Sequence, residues 1–109
     1  MKLARFHAEA ESELQAEATY YEQHTRGLGA RFTREVEAAV NLACAFPYVG
    51  SPYKYATRRV YPKKFPFSIV YRVLGEEVIV LAVAPFAKKP GYWRGRGSVG
   101  SLKKLPSSD

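Results

Sequence analysis

The sequence has one cysteine, Cys44, and two histidines among its 109 residues. A single cysteine cannot form an intramolecular disulfide or build a thiolate zinc site, so the sequence excludes a disulfide-stapled fold and makes zinc an unexpected ligand. Because Cys44 lies between two alanines, we expect it to be a small buried hydrophobic residue. We therefore predict that the protein holds no metal and uses no cofactor.

Long apolar segments are also missing. No run of about 18 consecutive apolar residues occurs, and residues 1–5 lack the apolar stretch of a secretory signal. We therefore expect a cytoplasmic protein that does not enter a membrane. The length of 109 residues fits one domain, which we predict over residues 1–96. The Gly-, Ser- and Lys-rich residues 97–109 are expected to form a flexible basic tail.

Acidic residues are scarce in the second half of the chain. Residues 1–53 hold five Lys and Arg against seven Glu, a net charge of −2, whereas residues 54–109 hold twelve Lys and Arg against three acids, a net charge of +9. A cationic surface on one side of a small domain attracts polyanions. The expected partners are nucleic acid, a nucleoprotein or an acidic protein segment, and the alternative is a basic surface that only aids solubility.

Hydrophobic periodicity divides the chain into elements. Residues 1–6 alternate like a short strand, and helical spacing then runs from Ala8 to about His24. After the Gly27-Leu28-Gly29 breaker, helical spacing resumes and ends before Pro47. Two amphipathic helices joined by a short glycine turn predict an antiparallel hairpin, followed by a turn-rich loop over residues 48–55.

From residue 56 the hydrophobic pattern repeats every two residues, as in a β-strand. Strands are predicted around residues 57–61, 67–73 and 78–84, and the last two are joined tightly at Gly75. The third strand is apolar on both faces, which is typical of a central, covered strand. The predicted fold class is therefore α+β, in the order β-α-α-β-β-β, with the helical hairpin on one face of a small, mainly antiparallel sheet and the other face left for function.

An ordered set of short motifs resembles the RelE/ParE superfamily of toxins, over about residues 3–96. The motifs are Tyr20-Tyr21-Glu22, Gly27-Leu28-Gly29, Arg31-Phe32, Arg58-Arg59, residues 65–71, and Lys89-Pro90-Gly91-Tyr92-Trp93 with Arg96. The resemblance implies a helical hairpin on a mostly antiparallel sheet, in agreement with the periodicity. It also implies a growth-arresting toxin that either cuts messenger RNA on the ribosome or poisons DNA gyrase. A cognate antitoxin would silence it in a toxin–antitoxin hetero-oligomer.

One departure from the family pattern distinguishes the two activities. The middle strand carries Ser68 where ribonuclease members tend to carry a phosphate-holding arginine, and a serine offers no positive charge. This favours a ParE-like toxin that binds gyrase without bond chemistry of its own, while the enzymatic alternative, a ribosome-dependent endoribonuclease, stays open. A third alternative is an inactive relative that only pairs with its antitoxin and regulates their operon. The candidates for catalysis in a ribonuclease are Arg59, Arg72, Lys89 and Tyr92.

The residues expected to contact the target or the antitoxin are basic or aromatic and follow residue 57. Arg58 and Arg59 should point to opposite faces of their strand, because neighbouring strand residues do so. Tyr92 and Trp93 either stack on a partner or pack under the sheet edge, and packing is favoured in a domain this small. The two histidines are expected at the ends of the first helix and not in catalysis. The predicted binding set is Arg58, Arg59, Lys63, Lys64, Lys88, Lys89, Tyr92, Trp93, Arg94 and Arg96.

Overall fold

The computed structural model of the chain describes residues 1–97 and contains five strands, two long helices and one short 3-10 helix. The strands form a single sheet in the order β1-β5-β4-β3-β2, in which β1 and β5 are parallel and the other neighbours are antiparallel. The elements are β1 Leu3–Phe6, α1 Ala8–His24, α2 Leu28–Ala45, β2 Ser51–Tyr53, β3 Thr57–Val60, β4 Phe67–Leu74, β5 Glu77–Pro85 and the 3-10 helix Arg94–Gly97.

The predicted α+β class and the order of one strand, two helices and an antiparallel meander are confirmed. The additional strand β2 lies within the segment predicted as a loop, where it pairs with β3 at the edge of the sheet. Proline is tolerated there because an edge strand does not need every backbone N–H for pairing, so Pro52 does not prevent the strand. The predicted tail lies, apart from Gly97, outside the described residues.

The helical hairpin is closed by contacts between its two helices. The N-terminus of α2 would leave backbone N–H groups unpaired, and the Glu22 carboxylate of α1 accepts hydrogen bonds from the N–H groups of Gly27 (2.8 Å) and Gly29 (2.9 Å). These two N–H groups lower the pKa of Glu22. Residue 29 must be glycine because a Cβ there would collide with the Ala18 carbonyl oxygen. The helices therefore pack closely at this end.

The main core lies between the helices and one face of the sheet. Phe32 and Val36 of α2 are fully buried against it, and the Phe32 ring lies 4.9 Å from the ring of Phe67 and 5.1 Å from that of Tyr21. Cys44 is buried in the same core, and burial raises the pKa of its thiol. The apolar positions of β4 share this face as the period of two predicts: Phe67, Ile69, Tyr71 and Val73.

A bulge in β5 builds a second core on the helix-free face. Val70 pairs with Ala82 and Tyr71 pairs with Val80, so Leu81 is an extra residue in β5. As a result, Leu81 and Ala82 both belong to the second cluster, which packs under Trp93. The helix-free face was expected to be left open, but part of it is covered by the chain's own C-terminal segment.

Candidate polyanion-binding site

The segment after β5 crosses the helix-free face and is anchored by Trp93. The Trp93 side chain is 1% exposed, and its ring lies 5.9 Å from the rings of both Tyr53 and Tyr55. Packing, and not stacking on a partner, is thus the role of this tryptophan in the structure. Trp93 was included in the predicted binding set, but its indole is not accessible to a target.

A single carboxylate, that of Glu13 on α1, fastens this segment to the sheet. Tyr92 Oη donates to Glu13 Oε2 (2.7 Å), and Arg96 donates from Nη1 to Oε1 (2.9 Å) and from Nη2 to Oε2 (3.1 Å). Strand β1 ends opposite Val80, so the β5 edge beyond it has no strand neighbour on that side. Glu13 Oε1 accepts from the Val83 N–H there (3.0 Å), and Arg96 Nη1 donates to the Leu81 carbonyl (3.0 Å).

This network changes the roles of two predicted binding residues. Burial disfavours the charge of Arg96, yet its hydrogen bonds to Glu13 raise the pKa of the guanidinium above its ordinary value. Burial and the hydrogen bond to Glu13 also raise the pKa of Tyr92 well above its ordinary value. Arg96 and Tyr92 were both predicted to contact the target or the antitoxin, whereas the structure pairs both with Glu13.

The remaining cations of this face surround a pocket of about 100 Å³, which we call the cationic pocket. Arg59, Lys88 and Lys89 line it together with Ser68 and the tyrosine, tryptophan and apolar side chains around them. None of the lining residues is acidic. Arg59 is partly buried, whereas Lys88 and Lys89 are exposed. Positive charge of this density, with no acidic residue in the lining, should attract anions.

Aromatic rings contact two of the three cations of the pocket, Arg59 and Lys88. The Arg59 guanidinium lies 4.0 Å from the ring centroid of Tyr53, and its Nε is buried without a hydrogen-bond partner. The Lys88 ammonium lies 4.5 Å from the ring of Tyr92. Ring contacts of this kind attract a cation without neutralising it. The Arg59 Nε–H is therefore a hydrogen-bond donor that the described residues leave for water or an ion to satisfy.

The other predicted residues lie elsewhere. Arg58 points to the face opposite Arg59, as the strand alternation predicts, and its Nη1 donates to the Gly50 carbonyl (2.7 Å). Arg72, the remaining ribonuclease candidate, donates from Nη2 to the Tyr55 carbonyl (2.8 Å) and does not line the pocket. Lys63, Lys64 and Arg94 are exposed and also lie outside it.

Glu13 and Tyr53 are the site residues that sequence reasoning missed. Glu13 follows Ala10 by three positions, so it borders the buried stripe of α1 that continues through Leu14 and Ala18. An acidic residue beside an apolar helical stripe is a signal of a buried polar contact. Tyr53 gives no comparable signal, because the sequence predicts a turn-rich loop over residues 48–55.

Neither histidine contributes to the pocket. His7 is 3% exposed and caps α1, since its Nδ1 accepts the Glu9 N–H (3.1 Å), while its Nε2 is buried without a partner. His24 is exposed at the other end of α1, as predicted. Residues 1–97 contain no group of three or more His, Cys, Asp or Glu side chains placed to hold a metal, and no helix among them could cross a membrane.

A helical hairpin on one face of a small, mainly antiparallel sheet is the fold that the resemblance to RelE/ParE toxins implies. The chain belongs to the ParE family, because the model described as "ParE toxin of type II toxin-antitoxin system, parDE" matches residues 4–89.

A solved structure titled "Chromosomal ParDE TA system from P. aeruginosa" is similar in fold, with a TM-score of 0.57 and 21% sequence identity. The alignment covers 78% of this chain and 96% of that one. No curated protein matches the chain significantly.

Proposed function

We propose that this ParE-type toxin arrests growth by binding DNA gyrase through its cationic pocket, and that a cognate antitoxin neutralises it. Family membership supports the toxin assignment. The observation that carries the binding site is the convergence of Arg59, Lys88 and Lys89 on a pocket lined by no acidic residue. Such a surface accelerates and orients docking onto an acidic macromolecule or its nucleic acid.

Binding without catalysis is favoured by what surrounds the cations. RNA cleavage through the 2′-hydroxyl requires a base for that hydroxyl and an acid for the leaving oxygen. The Tyr92 hydroxyl donates a hydrogen bond to Glu13 and has a raised pKa, so it does not readily ionise to act as a base. Ser68 in the pocket carries no charge. The pocket is therefore better suited to holding an anion than to transferring protons.

A ribosome-dependent endoribonuclease is the second candidate, and one observation favours it. Three of the four residues predicted for catalysis, Arg59, Lys89 and Tyr92, line the same pocket. Several cations around a phosphate could stabilise the charge that develops on it during cleavage. The two candidates therefore share a site and differ in the chemistry they require of it.

The decisive experiment compares both targets with the same preparation. The purified chain should inhibit plasmid supercoiling by gyrase and cause cleaved DNA to accumulate, and the protein encoded beside it should reverse both effects. Arg59→Gln and Lys89→Gln should each weaken inhibition about tenfold, which corresponds to about 1.4 kcal/mol of binding. Lys63→Gln removes the same charge from an exposed turn outside the pocket and is the matched control.

The alternatives give different results. Messenger RNA cut in a reconstituted translation reaction, with gyrase unaffected, would establish the ribonuclease. Normal growth on induction, with neither target affected but an antitoxin complex formed, would establish the inactive relative. If Lys63→Gln weakened inhibition as much as Arg59→Gln, the cationic pocket would not be the binding site.

A further inference from the structure

A second cationic site lies where three chain segments meet at the turn end of the sheet. Strand β1 starts opposite Glu77, so Lys2 lies beside the β4–β5 turn. The β2–β3 turn reaches the same end because β3 is antiparallel to β4. Lys2 and Arg58 supply the cations of a cavity of about 350 Å³ there, which we call the turn-end cavity. Arg72 also borders this cavity, but it pairs with Ile79 of the second core, so its side chain lies on the other face of the sheet from that of Arg58. Ser68 of the cationic pocket lies near the opposite end of β4.

The cations of this cavity are held mainly by backbone carbonyls. Lys2 Nζ donates to the Gly75 carbonyl (2.6 Å), and its acidic neighbour Glu76, 3.8 Å away, has a side chain that is 93% exposed. Arg58 donates to the Gly50 carbonyl (2.7 Å), and Arg72 donates from Nη2 to that of Tyr55 (2.8 Å). Carbonyls fix the direction of a cation but leave its charge in place.

The turn beside the cavity has a strained backbone. Tyr55 and Ala56, in the three-residue turn between β2 and β3, have φ angles of 61° and 60°, a left-handed conformation that favours glycine or asparagine. The Tyr55 ring packs 5.9 Å from that of Trp93 and lies 4.6 Å from the Arg94 guanidinium. These contacts hold Tyr55 so that its carbonyl meets Arg72. Strain that is retained in this way is a feature of ligand sites.

We propose that the turn-end cavity binds a phosphate of a nucleic-acid backbone. Phosphate is favoured because a guanidinium offers paired donors that match its oxygens. The ring of Tyr48, which is 71% exposed, lies 5.1 Å from the Arg58 guanidinium at the edge of the cavity. The Arg58 guanidinium is thus oriented by a carbonyl and a ring without being paired to a carboxylate.

The choice of DNA as the nucleic acid rests on the proposed function, because gyrase acts on DNA. The cavity and the cationic pocket are lined by different residues. The toxin could therefore contact the enzyme through the pocket and the DNA through the cavity at the same time.

The test measures binding of the full chain to a fluorescent DNA duplex and to a single-stranded RNA of the same length, by anisotropy at several salt concentrations. Lys2→Gln and Arg58→Gln should each lower affinity for DNA about three- to tenfold at low salt and reduce the salt slope by about 1. Arg34→Gln removes the same charge from the exposed surface of α2 and should stay within about twofold of the parent protein. Arg58 also holds residues 48–50, so Lys2→Gln provides the evidence if Arg58→Gln unfolds.

Two outcomes would overturn the proposal: no binding of either nucleic acid, or equal losses of affinity in Lys2→Gln and Arg34→Gln. If RNA binds more tightly than DNA and Lys2→Gln abolishes that binding, the phosphate site is supported and the choice of DNA is overturned. Gyrase inhibition measured on the same variants separates the two proposals. DNA binding without inhibition removes only the proposed function, and inhibition without DNA binding removes only the turn-end site.

Discussion

The carboxylate of Glu13 should contribute more to stability than any other acidic side chain of α1. Its two oxygens accept four hydrogen bonds, from the Val83 N–H, the Tyr92 hydroxyl and both terminal nitrogens of Arg96. The side chains of Glu13 and Arg96 are 20% and 11% exposed. Removing one partner of a buried ion pair costs about 3–5 kcal/mol, because the other charge is left without compensation.

We therefore expect Glu13→Ala to lower the free energy of unfolding by about 3 kcal/mol, near the low end of that range because both side chains are partly exposed. For a domain of this size the melting temperature should fall by about 12–24 °C. Urea unfolding with a constant m value is the measurement of choice, since a changed m value would indicate a change in compactness.

Glu9→Gln is the matched control. Glu9 lies on the same helix and contacts the same guanidinium at 3.4 Å, but its side chain is 67% exposed, so its loss should cost less than about 0.5 kcal/mol. The double variant Glu13→Ala with Arg96→Ala should be less destabilised than the sum of the two single variants, because it leaves no buried charge. A Glu13→Ala loss below about 1 kcal/mol, or one equal to that of Glu9→Gln, would refute the reasoning.

Three further predictions concern other parts of the fold. Burial, followed by the nearby charge of Arg96, lowers the pKa of His7 below 6.5. The unfolded state therefore binds the proton more readily, and the free energy of unfolding should fall as the pH drops below about 6.5. Urea midpoints measured across pH should decline less in His7→Asn, whose side chain can still cap α1. Gly29→Ala should lower the free energy of urea unfolding by about 1–3 kcal/mol, because the added Cβ collides with α1. Gly95→Ala should leave that free energy nearly unchanged, because a Cβ there meets nothing within 4 Å. Trp93→Ala should cost about 3–5 kcal/mol by thermal or urea unfolding, and a loss below about 1 kcal/mol would show that the C-terminal segment is not packed as described.

Elements with a clear period were predictable from the sequence, and elements that depend on a neighbour were not. The alternation of residues 67–73 identified the core face of β4 because period two reports which side chains share a face. In β5, by contrast, an apolar run from Val78 to Ala84 carries no such information, so the bulge at Leu81 was invisible. Strand β2 was missed because Pro52 and Gly50 are typical of turns, and its pairing depends on β3 being present beside it.

The types of residue in the site were predictable, but their pairing was not. An uneven charge distribution indicated a cationic surface, and the spacing of Arg58 and Arg59 indicated opposite faces, as the structure has them. Sequence alone could not assign Arg96 to Glu13, because the two are 83 positions apart and meet only after the C-terminal segment has crossed the sheet. Net charge counts a guanidinium equally whether it faces a carboxylate or solvent.

What distinguishes the cations of the two candidate sites is the kind of partner that holds them. Arg96 and Arg5 are paired with carboxylates, so their charges are largely cancelled within the chain. Arg58 and Arg72 are held by carbonyls and Arg59 by an aromatic ring, which orient each guanidinium without cancelling its charge. A ligand that binds such preoriented cations loses less conformational entropy than one that must order free side chains. The positive charge of these three arginines is therefore not cancelled by a carboxylate within the described residues, which supports the proposal that an external anion binds near them.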